Sequence, residues 1–152
     1  ARVRLEVMAM PKKPQQIAVD VIGIGAGVVD RLQEMFAGQP IEIIGVSSSD
    51  RVSDGVNYNL RAQMWDEMVK WLKDKPASLP NDSDLKTQLC ALRYLFRNGL
   101  RLLEAKDDAK KRGIKSPDKA DALALTFAKQ VTDMTNYAPI PEPEQDSNGF
   151  YF

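Results

Sequence analysis

Asp20, Asp118 and Asp121 are the residues of this chain whose types and surroundings point most directly to chemistry. Asp20 interrupts Ile17–Ile22, an otherwise apolar run. An ionised carboxylate is costly to bury there unless a cation or several donors compensate it. Two readings stay open: the amides of a glycine-rich turn hold it at a strand end, or it is a metal ligand at the carboxyl end of a central strand, where α/β active sites lie. Asp118 and Asp121 are three positions apart and on a helix share a face. Acidic residues in a first turn ordinarily offset the helix dipole. Asp121, however, lies a turn further in, beside Ala120, Ala122 and Leu123. A carboxylate pair against an apolar helix face suits a divalent cation.

The rest of the inventory narrows that chemistry. The 152 residues include no histidine, which excludes Ser-His and Cys-His dyads and zinc sites with histidine ligands. Cys90 stands alone, so no internal disulfide forms, and it reads as a small apolar residue on a helix. A hydrolase built from this set relies on carboxylates with Mg²⁺ or Mn²⁺. No Gly-x-x-x-x-Gly-Lys-Ser/Thr segment exists, which excludes a P-loop ATPase. Gly23-x-Gly25-x-Gly27 lacks dinucleotide-fingerprint spacing and reads as a sharp turn with close backbone approach.

Net charge is zero, with 21 basic and 21 acidic residues, whereas nucleic-acid binders are usually basic. The distribution is uneven. Lys106, Lys110, Lys111, Arg112, Lys115 and Lys119 fall within one short stretch, and Pro139–Asp146 is acidic. The basic stretch is either a solvated helix face or a phosphate contact beside the aspartates. Glu104 is a further acidic candidate, placed near them in sequence. No apolar run is long enough to cross a bilayer, so no membrane partner is expected.

The elements that must position these residues follow from periodicity and punctuation. Residues 2–9 alternate and predict a strand. Ile17–Ile22 predicts a buried central strand, a helix over 26–37 follows the glycines with Val28, Val29, Leu32, Met35 and Phe36 on one face, and Ile41–Val46 is a third strand. A long helix over 58–73 carries Leu60, Met64, Trp65, Met68 and Leu72. Asn81 or Asp82 caps a short helix with Leu85, Leu89 and Leu92. Asn98-Gly99 predicts a two-residue hairpin turn between Tyr94–Arg97 and Leu100–Glu104. A basic helix over Lys106–Arg112 ends at Gly113. Ser116-Pro117 starts the aspartate helix, the serine accepting from free amides, and that helix runs to Val131. Residues 139–152 form an acidic, proline-rich tail.

Three segments in order, IAVDVIGIGAGVVDRL over 17–32, NLRAQMW over 59–65 and LEAKDDAKKRGIKSPDKADALAL over 103–125, together resemble the nuclease domain of tailed-phage terminase large subunits. The resemblance implies an α/β, ribonuclease H-like fold over residues 1–138, with a central mixed sheet flanked by helices. It implies an endonuclease that cuts concatemeric double-stranded DNA during genome packaging, with two Mg²⁺ or Mn²⁺ ions. Asp20 matches the family's second aspartate and Asp118 its third, Asp121 being an accessory or alternative ligand. Lys106, Lys110, Lys111, Arg112 and Lys115 would contact DNA. The implied partners are portal protein and small terminase subunit, at the procapsid in the host cytoplasm. No segment matches the family's first strand with its aspartate, and Met10–Gln16 is too short for the crossover helix expected between two parallel strands. The first strand and crossover helix are therefore expected to be missing from the sequence. A junction resolvase or transposase core, and a non-catalytic docking module, are the alternatives.

Overall fold

The computed structural model describes residues 2–74 and 76–128. The order is α1 (Arg2–Ala9), β1 (Gln16–Asp20), α2 (Gly25–Met35), β2 (Glu42–Val46), α3 (Leu60–Asp74), α4 (Ser83–Ala91), β3 (Tyr94–Arg97), β4 (Leu100–Leu103), α5 (Lys106–Lys111) and α6 (Asp118–Leu125). The tail at 139–152 and the expected helix end at Val131 lie outside the described residues.

The strand expected over residues 2–9 is a helix. Val3, Leu5 and Val7 alternate, yet Val3 and Val7 are also one helical turn apart, so eight residues do not separate the two periods. As a helix the segment buries Val7 beside Leu32, Phe36 and Ile41 and pairs Arg2 with Glu6 one turn on, at 3.6 Å.

β1 and β2 are parallel, in register from Gln16 opposite Glu42 to Asp20 opposite Val46, and α2 makes the crossover between them. β1 is not flanked by strands on both sides: among the described residues its ladder partner is β2. Its apolar run has a different cause, because helices cover both faces. Ile17 and Val19 pack on the Val7, Leu32 and Phe36 cluster. Ala18 packs on the opposite cluster, built from Leu60, Met64, Trp65 and Met68 of α3 with Ala120 and Ala124 of α6. Gly25 lets α2 begin against the end of β1, since a Cβ there would stand 1.9 Å from the Asp20 carbonyl oxygen.

α3 carries the core stripe that its periodicity predicts, and α4 is capped by Asp82, whose carboxylate accepts from the Leu85 amide at 3.0 Å. β3 and β4 form the antiparallel hairpin. Asn98 and Gly99 both take positive φ, 53° and 79°, which is the primed turn that an Asn-Gly pair favours. The hairpin is tied to α3 where Arg101 meets the buried Asp66 carboxylate at 3.0 Å.

α6 starts at Asp118, and Ser116 does not cap it. The Ser116 hydroxyl donates to Asp118 at 2.5 Å instead. The free amides of Lys119 and Ala120 donate to Gln88 Oε1 on α4, at 2.8 and 3.1 Å. A tertiary acceptor has replaced the local one, and it fixes the start of the aspartate helix against α4.

Candidate active site

Asp20 is the last residue of β1 and is exposed, so the burial that its apolar surroundings suggest does not occur. One carboxylate oxygen accepts from the Ile22 amide in the turn at 3.1 Å, the other from the Ser48 hydroxyl at 3.0 Å. Ser48 is buried, just beyond the end of β2. Each carboxylate oxygen has two acceptor sites, so both retain capacity towards solvent. The turn amide and the open carboxylate occur together.

Asp118 and Asp121 differ sharply although they share α6. The Asp118 side chain is 77% exposed, with Ser116 as its close partner and Lys106 Nζ at 3.9 Å. Asp121 is 20% exposed and engages three side chains, Arg61, Trp65 and Lys106. Arg61 Nε and Nη2 reach its Oδ1 at 3.1 and 2.9 Å, and Nη2 also reaches Oδ2 at 3.1 Å. Trp65 Nε1 donates to Oδ1 at 3.0 Å, and Lys106 Nζ lies 3.2 Å from Oδ2.

Asp20, Ser48, Arg61, Trp65, Lys106, Asp118 and Asp121 line one cavity of about 590 Å³. Asp20 thus lines the same cavity as Asp118 and Asp121, which stand far from it in sequence. Arg61 and Trp65 lie in the segment resembling terminases but carry no obvious signature of a role. The usable signal is an arginine between buried Leu60 and Ala62, one turn before a buried tryptophan.

Of the five basic residues expected to contact DNA, Lys106 lines the cavity and the others do not. Lys110 and Lys111 pair with Asp107 and Asp108 of their own helix, at 3.4 and 2.7 Å. Arg112 is committed inside the fold: its Nε donates to buried Glu104 at 2.8 Å, and Nη2 to Glu104 and to the Ala91 carbonyl. That pairing holds the Glu104 carboxyl below its usual range, and it removes Glu104 from the cavity candidates. Lys115 is exposed.

The donors facing the cavity are hard oxygens, the kind that Mg²⁺ and Mn²⁺ prefer. Among the described residues no group of three or more acidic, cysteine or histidine side chains is placed to hold a metal ion. Mg²⁺ ordinarily keeps several waters and takes one or two protein carboxylates. Asp20 and Asp118 fit that requirement, with Asp121 beside them already engaged.

No protein-family model and no curated protein matches the chain. Its fold does match solved structures of the nuclease domain of the large terminase subunit gp2 of bacterial virus Sf6. One structure of that domain aligns at TM-score 0.62 and 23% identity, over 82% of this chain and 67% of that one. A point mutant with manganese aligns at TM-score 0.63 and 22% identity over 82% and 68%. The mutant with manganese and β-thujaplicinol aligns at 0.60 and 22% over 82% and 67%. The chain therefore has the ribonuclease H-like fold of a phage large-terminase nuclease domain.

Proposed function

We propose that this chain is a metal-dependent endonuclease that cuts concatemeric double-stranded DNA for viral genome packaging. One observation carries the reading: Asp20 from the end of β1 and Asp118 from the start of α6 open into one cavity, on a fold shared with a terminase nuclease. The manganese in the Sf6 structures supports divalent-cation use here.

A bound Mg²⁺ or Mn²⁺ would lower the pKa of a coordinated water and offset charge on the leaving oxygen. Asp20 and Asp118 would hold it. The Ile22 amide and the Ser48 hydroxyl fix the Asp20 carboxylate and leave its outward lone pairs free. Lys106, at the cavity wall, supplies a positive charge for a backbone phosphate. A second such ion would need a further carboxylate besides these. Portal protein and small terminase subunit would be the packaging partners, at the procapsid in the host cytoplasm. No helix among the described residues is long and apolar enough to cross a membrane.

The test is conversion of supercoiled plasmid to nicked and linear forms with Mn²⁺ or Mg²⁺, stopped by EDTA and lost in Asp20→Asn. Preferential cutting of branched over linear duplex would favour a resolvase. Full cleavage by Asp20→Asn, freed of contaminating nuclease, would overturn the assignment.

A further inference from the structure

Arg61 touches both halves of the cavity. Its backbone amide donates to the Ser48 carbonyl at 2.9 Å, and the Ser48 hydroxyl donates to Asp20. Its guanidinium takes Asp121 in a fork and reaches the Glu104 carbonyl at 3.4 Å. One residue near the start of α3 is thus bonded to the loop after β2, to α6 and to the end of β4. The guanidinium is 16% exposed, so this fork is shielded from water in a way that the ion pairs on α5 are not. Trp65, one turn along α3, donates to the same carboxylate.

Resting on the proposed cation site, we infer that Asp121 is not a ligand of the cation. Asp121, Arg61 and Trp65 are positioning residues that set the start of α6, and hence Asp118, at the right separation from Asp20. The chemistry favours this division. An aspartate sharing its oxygens among a guanidinium, an indole N–H and an ammonium has little electron density left for a cation. Bringing the cation there would also place it against two like charges. Asp118, one turn earlier, has no such guanidinium partner among the described residues. A carboxylate paired to arginine in a bidentate fork is geometrically well defined, which is the property a strut needs.

The test is Mn²⁺ binding by the whole chain, followed by electron paramagnetic resonance, with folding checked by circular dichroism. Asp118→Asn is expected to weaken binding more than about a hundredfold and to change the bound-Mn²⁺ spectrum. Asp121→Asn and Arg61→Ala are expected to weaken it about tenfold each, the usual cost of disturbing an outer-shell partner, with the bound spectrum unchanged. The double variant should be no worse than either single one, because both remove the same strut. If Arg61→Ala does not fold, Arg61→Lys carries the comparison, since lysine keeps the charge but not the fork. Asp121→Asn losing as much as Asp118→Asn would overturn the inference. So would tighter Mn²⁺ binding in an Arg61 variant, the signature of a ligand released from its counter-charge. A wild-type chain with a flat Mn²⁺ titration would instead overturn the cation site itself, and the inference with it.

Discussion

Asp20 is held by the Ile22 amide and the Ser48 hydroxyl and Asp118 by the Ser116 hydroxyl, neutral partners that an asparagine side chain also satisfies, so Asp→Asn at either position preserves local shape and removes charge. Loss of about 3 kcal/mol of transition-state stabilisation is roughly a hundredfold in rate, and at least that loss is expected in plasmid cleavage for either variant, with the melting temperature little changed. Arg112 behaves in the opposite way. It faces Glu104, which is 5% exposed, and its removal leaves a buried carboxylate without its counter-charge. Arg112→Ala should lower the melting temperature more than Lys110→Ala or Lys111→Ala. Equal melting temperatures for the three would show that the Glu104 pair is not structural.

At the scale of elements, the β1–α2 junction is the most sensitive point. Gly25→Ala must push the start of α2 away from the Asp20 carbonyl, which cannot yield without moving β1. Overpacking of this kind costs roughly 1–3 kcal/mol, so urea unfolding should shift by that amount and Mn²⁺ affinity should fall with it. Unchanged stability would mean that the junction relaxes freely. What could be read in advance divides along the same line of locality. The Asn98-Gly99 hairpin, the Asp82 cap and the α3 stripe were legible because each is decided by neighbours within a turn or two. Residues 2–9 were not, because over eight positions a strand pattern and a helix pattern coincide at Val3 and Val7. The start of α6 next to Ser116-Pro117 was legible but its cap was not, because Gln88, distant in sequence, supplies the acceptor that Ser116 was expected to provide. The aspartates announced themselves by residue type, whereas the Arg61–Asp121 fork joins residues 60 apart and no spacing rule reveals it.

For the molecule as a whole, paired carboxylates set the response to acid. Glu104 is held low by the Arg112 hydrogen bonds, and Asp82 by Lys119. Burial alone would raise Asp54, but the Asn57 and Val56 donors outweigh it, and it too is lowered. At these three groups the folded chain therefore binds fewer protons than the unfolded chain on the acid side. The stability these groups contribute is in place above the unfolded values near about 4 and is lost as pH falls through the lower folded ones. Urea midpoints should thus fall steeply below about pH 4, and a flat profile there would contradict the pairings.

Charge balance would also govern how the proposed nuclease meets DNA. Net charge is zero, and Lys110, Lys111, Arg112 and Lys119 are matched by Asp107, Asp108, Glu104 and Asp82. A phosphate must compete with those partners for each cation, so few counterions are released on binding. Each neutralised phosphate contributes about −0.9 to the slope of log K against log salt, and about three contacts would give a slope near −3. Fluorescence anisotropy with duplex DNA in EDTA, where cleavage is stopped, measures that slope directly. Lys115→Ala, which alters an exposed cation, should reduce it by about one unit, and Lys110→Ala by less, because Lys110 is already partnered on its own helix. A wild-type slope steeper than about −6 would mean that the chain engages DNA through a basic surface other than the one beside the aspartates.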